Sequence, residues 1–159
     1  MLSSNLLTMQ LTGQFDILQI KGNADMSRTF FMPSSISSLV LLRSYDQYFL
    51  ASSMDGTINL YDRRMNKSEV QSYAGHVNSH TRIQLGVDPS DTFLMSGGED
   101  SYTRIWDIKG GQLLYAANFM RSVPSTLCWP TSSVTGHQRR SIPGAWVGSK
   151  EGLYLVLWP

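Results

Sequence analysis

The sequence holds one cysteine, Cys128, so no intrachain disulfide can form, and a reducing compartment, nucleus and/or cytoplasm, is the expected setting. Within Leu127-Cys128-Trp129 that thiol is expected in the core, where free cysteines commonly sit. An excess of either charge is missing too: 13 Lys and Arg face 12 Asp and Glu, a formal net charge of +1. Broad attraction to phosphate backbones or anionic bilayers does not follow from such a balance, so neither nucleic acid nor membrane is an expected partner. No apolar run approaches membrane-span length, and Met1 to Leu11 lacks the basic start and long apolar centre of a signal peptide. An apolar stripe at 3.6-residue spacing, sustained over about 11 residues, is also absent, which leaves little room for helix. Motifs that carry chemistry are as sparse. Three histidines, His76, His80 and His137, and the lone cysteine show none of the paired spacings of zinc sites, and no phosphate-cradling glycine loop occurs. No catalytic residue, metal or cofactor is assigned, and the chain reads as a non-catalytic binding module.

What is present is a repeat. Asp55-Gly56-Thr57-Ile58-Asn59-Leu60-Tyr61-Asp62 aligns with Asp100-Ser101-Tyr102-Thr103-Arg104-Ile105-Trp106-Asp107. The offset is about 45 residues, at the upper end of the ~40–45 that a four-stranded propeller blade needs. Each copy opens with an apolar run, Ile36 to Leu42 or Ile83 to Val87, and then a polar turn with aspartate. Phe49-Leu50-Ala51-Ser52 and Phe93-Leu94-Met95-Ser96 follow as inner strands packed on both faces. The third strand of each copy alternates, with Ile58 and Leu60, or Thr103 and Ile105, on equivalent faces.

A weaker third copy runs from Ser125 to Trp129, through Ala145 to Ser149 and a turn at Lys150-Glu151-Gly152, to Leu153 through Trp158. Its insertion, 130–143, is rich in Ser, Thr, Gly and Pro, carries His137, Arg139 and Arg140, and reads as a surface loop. Leu6 to Leu11 and Phe15 to Ile20 read as a hairpin or as the last strands of a preceding blade. The expected organisation is therefore 1–33 as strands of a preceding blade, 34–74 and 75–119 as full blades, and 120–159 as a degenerate C-terminal blade. The fold class is all-β: a partial β-propeller of about three to four blades, each a four-stranded antiparallel sheet. Closed propellers use ~4–8 blades, so the ring is expected to continue outside these residues.

Gly75-His76, followed by Ser96, Asp100 and Trp106-Asp107, resembles the WD-repeat pattern. That resemblance implies a structural chain in which Asp100 accepts from the His76 imidazole, the imidazole bonds the Ser96 hydroxyl, and the hydroxyl accepts the Trp106 indole N–H. The first copy departs from it, with Tyr61 in place of tryptophan and Phe31-Met32-Pro33 in place of glycine-histidine.

The sixteen residues from Phe49 to Arg64 resemble a box found in WD-repeat substrate receptors of cullin-RING ubiquitin ligases, the numbered damaged-DNA-binding-adaptor- and cullin-associated factors. Likeness to the fourth group of these factors, in its C-terminal blades, extends from about Leu39 to Trp158. The resemblance implies docking on a ligase adaptor of the damaged-DNA-binding type through Asp55, Asp62 and Arg64, with the cullin scaffold reached indirectly and an unnamed protein as substrate. In the second copy lysine, Lys109, stands where Arg64 stands in the first, and lysine cannot reproduce arginine's planar fork. The alternative is a general WD-repeat assembly scaffold with no ligase connection. Much of the box is blade grammar, so only Asp62 and Arg64 separate the two readings.

Overall fold

The structure is a computed structural model that describes residues 7–10, 17–21, 27–65, 68–130 and 144–157. Every regular element among them is a strand: β1 (Leu7–Gln10), β2 (Ile17–Lys21), β3 (Ser27–Phe31), β4 (Ile36–Leu41), β5 (Tyr48–Ser53), β6 (Ile58–Asp62), β7 (Gln71–Ser72), β8 (Leu85–Val87), β9 (Phe93–Gly97), β10 (Thr103–Asp107), β11 (Leu113–Ala117), β12 (Thr126–Cys128), β13 (Gly144–Ser149) and β14 (Gly152–Leu157). They form four sheets in sequence order, β1-β2-β3, β4-β5-β6-β7, β8-β9-β10-β11 and β12-β13-β14. All pairings are antiparallel between chain neighbours. The chain is a partial β-propeller, with two four-stranded and two three-stranded sheets among the described residues. The segment 131–143, which holds nearly all of the expected insertion, lies outside the described residues.

The repeat that announces the fold is a repeat of turn chemistry. Between β5 and β6 the Asp55 carboxylate accepts the Thr57 N–H at 3.0 Å, while Gly56 takes a φ of 87°. Between β9 and β10 Asp100 accepts the Tyr102 N–H at 3.2 Å, and Ser101 adopts a φ of 64°. An aspartate followed by a residue able to enter the left-handed region closes both hairpins, and the registers Ser52↔Ile58 and Gly97↔Thr103 follow from that closure.

Packing on both faces explains why the strands read as apolar runs. One core lies between the second and third sheets, where Leu50, Ile58 and Leu60 meet Leu85, Leu94 and Trp106. Another lies between the first and second, where Phe30 and Met32 meet Phe49, Ala51 and Tyr61. A third joins Met95 and Ile105 to Leu127, Ala145 and Val147. Each large apolar side chain removed from water in these layers stabilises the stack by ~1.5–3 kcal/mol. The expected alternation of β6 is accordingly not one of buried and exposed faces: Asn59, Tyr61 and Asp62 are buried along with Ile58 and Leu60.

Two further expectations need correction. The Cys128 side chain is exposed, because strand period places it on the face opposite buried Leu127. The first strand of the second copy begins at Leu85, not Ile83, since the Gln84 N–H is given to Ser125 O of the neighbouring sheet at 2.9 Å. The first strands are tied across the sheets on the other side too, where the Leu85 N–H donates to the Ser38 hydroxyl at 3.0 Å. Close approach is sharpest at Gly97, where a Cβ would stand 1.7 Å from Pro124 O. The outermost strands β11 and β14 are largely exposed, and β14 has no partner on its outer edge among the described residues.

Candidate functional site

In each antiparallel sheet the turns joining first to second and third to fourth strands lie at one end, and the turn joining second to third lies at the other. Asp62 ends β6 and Arg64 follows it, so both belong to the first of these rims. The Asp62 carboxylate is almost fully buried, 2% exposed, whereas the Arg64 side chain is 64% exposed. Arg64 Nε donates to Oδ1 at 3.0 Å and to Oδ2 at 3.2 Å, and Nη2 donates to Oδ2 at 2.7 Å. The Arg64 backbone N–H adds a bond to Oδ1 at 2.9 Å. This forked pair fixes a charged group that would otherwise sample many rotamers. Hydrogen bonding and the charge of Asp62 raise the guanidinium's affinity for its proton, with a smaller share from Tyr48. The result is an arginine whose guanidinium is held by Asp62 on one edge while much of its side chain stays in solvent.

Asp55 does not join them. It sits in the β5–β6 turn, at the opposite end of the sheet, and its carboxylate is engaged by the Ser53 hydroxyl and the Thr57 N–H. Those bonds hold it below its usual pKa against the opposing effect of burial, which is the largest single influence on it. The box therefore places its two aspartates on different rims, because a strand separates them.

Tyr61, in the position of the missing tryptophan, is buried against two rings. It stacks on Phe49 at a centroid distance of 5.3 Å and meets Phe30 edge-on at 5.6 Å, while its hydroxyl accepts from Asn59 Nδ2 at 3.1 Å. Burial raises its pKa. The corresponding stretch of the third sheet lacks the forked pair: Asp107 accepts the Gly110 N–H at 2.6 Å, and Lys109 is exposed.

The four residues expected to form a hydrogen-bonded chain do not form one: three bond elsewhere and His76 has no partner. Trp106 Nε1 donates to Ala74 O at 2.9 Å, the Ser96 hydroxyl donates to Gly97 O at 3.0 Å, and Asp100 is forked by Arg104, with Nη1 to Oδ1 at 3.0 Å. The imidazole of His76 is 8% exposed, and its contact with the Gly97 backbone falls short of hydrogen-bond geometry, so both ring nitrogens are unpaired. A planar guanidinium offers the carboxylate two charge-assisted bonds where an imidazole offers one, and it wins the competition. Burial first, and then the positive charge of Arg104, depress the His76 pKa to about 4, so the ring is neutral at pH 7. Arg104, which also lies over the Tyr102 ring at 5.1 Å, is the residue that the WD pattern gave no reason to single out. Glu99 is another. It accepts from Thr81 Oγ1 at 2.6 Å, Thr81 N at 2.9 Å and Ser79 Oγ at 2.6 Å, and these bonds lower its pKa to about 2. Among the described residues no group of three or more His, Cys, Asp or Glu side chains could hold a metal ion.

Residues 12–156 match the family model of the DDB1- and CUL4-associated factor 4 β-propeller domain. The chain is 34% identical over 145 residues to DDB1- and CUL4-associated factor 4 of Bos taurus, covering 86% of this chain and 27% of that protein. It is 34% identical over 130 residues to the human DDB1- and CUL4-associated factor 4-like protein 2, covering 76% of this chain and 30% of that protein. Among solved structures, that of U3-55K superposes with a TM-score of 0.57 at 17% identity, covering 83% of this chain and 36% of the other, a likeness of fold. The chain thus spans less than a third of the length of these curated relatives.

Proposed function

Because this chain belongs to the DDB1- and CUL4-associated factor 4 β-propeller family, we propose that it forms part of a substrate receptor of a cullin-RING ubiquitin ligase. In this reading it is a non-catalytic scaffold of the nucleus and/or cytoplasm. One rim docks on an adaptor of the DDB1 kind through Arg64, and other surfaces of the protein recruit a substrate. Ubiquitin transfer takes place on other subunits.

The observation that carries the reading is the Asp62–Arg64 pair: a buried carboxylate fixes the guanidinium of an exposed arginine at a strand end. Such an arginine enters an interface with its rotamer already chosen, which reduces the entropy lost on binding. Arginines of this kind, when central and desolvated, contribute ~2 kcal/mol or more. Asp62 is a positioning residue here, since its own oxygens are occupied by Arg64.

The test is affinity for purified DDB1, wild type beside Arg64→Ala. A loss of about 30-fold or more, with an unchanged unfolding curve, is the expected result. Equal affinity of the two proteins, or no binding by the wild type, refutes the role of Arg64. The second outcome also leaves a general WD-repeat assembly scaffold as the better description.

A further inference from the structure

We propose that a polar pocket at the heads of the first strands of the second, third and fourth sheets binds the carboxylate of an aspartate or glutamate side chain in a protein segment, with Arg82 as its anchor. The pocket stands on its own geometry, whereas the assignment of that segment to a recruited substrate rests on the receptor reading above.

The first strands converge, with β8 touching β4 on one side and β12 on the other. The pocket at their heads is about 410 Å³, within the ~300–1,000 Å³ typical of binding pockets. Its polar lining is Ser37, Ser38, Arg82, Gln84, Ser125 and Thr126, and Leu39 completes it. Strand alternation decides which side chains of the third sheet face it. Ile83 and Leu85 are buried, so Arg82 and Gln84, which are exposed, lie on the opposite side of the chain. Each first strand starts at the end of its sheet where second and third strands are joined. The pocket therefore lies toward the rim of Asp55, opposite the one that carries Arg64.

Chemistry narrows the occupant. Arg82 is the charged residue of the lining, with no carboxylate beside it there, and no ion pair holds its guanidinium among the described residues. Glu99 lies outside the lining and spends its oxygens on Ser79, His80 and Thr81, bonds that also hold the loop leading into Arg82. The backbone donors are spent as well: the Leu85 N–H goes to Ser38 Oγ, the Gln84 N–H to Ser125 O and the Ser125 N–H to Gly148 O. Ser37 Oγ shares a bond of 2.8 Å with Ser52 Oγ. What remains to meet a ligand is the Arg82 fork, the Gln84 amide and the hydroxyls of Ser38, Ser125 and Thr126, a set of donors suited to an oxyanion. Chain termini are captured by converging backbone N–H groups, and phosphates by clusters of arginine. A single arginine among neutral donors matches instead a singly charged carboxylate, which its planar fork binds through two parallel bonds.

The experiment measures fluorescence anisotropy at about 0.15 M salt, which screens distant exposed charges. The probe is a capped, labelled peptide with a run of glutamates in a Gly-Ser frame. Matched peptides carry glutamines, phosphoserines, or glutamines with a free C-terminal carboxylate. The protein is compared as wild type, Arg82→Ala, Gln84→Glu and, on the β4–β5 turn of the other rim, Arg43→Ala. All three residues are exposed, and urea unfolding checks that each variant is folded. Binding of the glutamate peptide but not its glutamine counterpart, weakened about tenfold or more by Arg82→Ala and by Gln84→Glu and unchanged by Arg43→Ala, supports the proposal. Equal weakening by Arg43→Ala assigns the binding to overall charge and overturns it. Tighter binding of the phosphoserine or free-terminus peptide overturns the acidic side chain as occupant. DDB1 affinity of the same preparations separates the two readings. Intact DDB1 binding without glutamate-peptide binding overturns the pocket alone, and the reverse result overturns the substrate assignment while the pocket stands.

Discussion

Acidification from pH 7.5 to 5.0 is expected to weaken the fold through one residue, His76. Its pKa falls from 6.5 in the unfolded chain to about 4 in the folded one, because the ring is buried with neither nitrogen paired and the Arg104 charge lies nearby. Between those two values the unfolded state binds a proton that the native state refuses, so unfolding is favoured as pH drops. A depressed histidine pKa thus contributes stability that is complete above pH 6.5 and is lost progressively toward pH 4. At pH 5.0 the linkage relation gives a loss of about 2 kcal/mol relative to pH 7.5. The aspartates with lowered pKa, Asp55 and Asp100, and the strongly lowered Glu99 behave differently. Their stability is present above the unfolded carboxylate values and fades only below about pH 4.5, beneath the window. Urea unfolding followed by tryptophan fluorescence at pH 7.5, 6.5, 5.5 and 5.0 measures the slope, and His76→Leu isolates it. The variant removes two unpaired polar atoms as well as the titrating group, so it is expected within ~1 kcal/mol of wild type at pH 7.5 and flat across the window. A flat wild type, or a variant with the wild-type slope, refutes the assignment.

Two other predictions concern the packing of the sheets. Gly97→Ala forces a Cβ to within 1.7 Å of Pro124 O and should lower stability by ~2–3 kcal/mol, whereas Gly148→Ala, whose nearest neighbour is the Thr126 Cβ at 3.5 Å, serves as a near-neutral control in the same urea titration. The 159-residue chain should self-associate through β14, where Leu153 and Leu155 are 68% and 47% exposed beside an edge that is unpaired among the described residues. Replacing both leucines by threonine shifts sedimentation toward monomer, and a wild type that stays monomeric and melts cooperatively rules the idea out.

The architecture was legible because its signals are local. Aspartate before Gly56 or Ser101 closes a hairpin wherever it occurs, and two such turns a blade apart define the repeat without any knowledge of packing. What was not legible depends on competition in space. A histidine, a serine, an aspartate and a tryptophan at the expected positions suggest one hydrogen-bonded chain, but nothing in their spacing reveals that Arg104 takes Asp100 or that Ala74 O takes the indole. The side of β12 on which Cys128 lies hangs on a one-residue phase, which a three-residue strand is too short to declare. Of the candidate docking residues, Asp62 and Arg64 stand together because they are two apart at a strand end, and the separation of Asp55 was readable from the strand between them.

The five residues of β6 hold two turns roughly 15 Å apart at about 3.3 Å per residue. That spacing decouples the two rims as sites of change. Loops at the Asp55 end can lengthen, shorten or exchange sequence without moving Asp62, because both faces of the strand between them are clamped by packed neighbours. A molecule built on this strut can keep one fixed mounting while its opposite surface is rewritten, and a designer seeking new specificity would graft there, leaving the Arg64 end untouched.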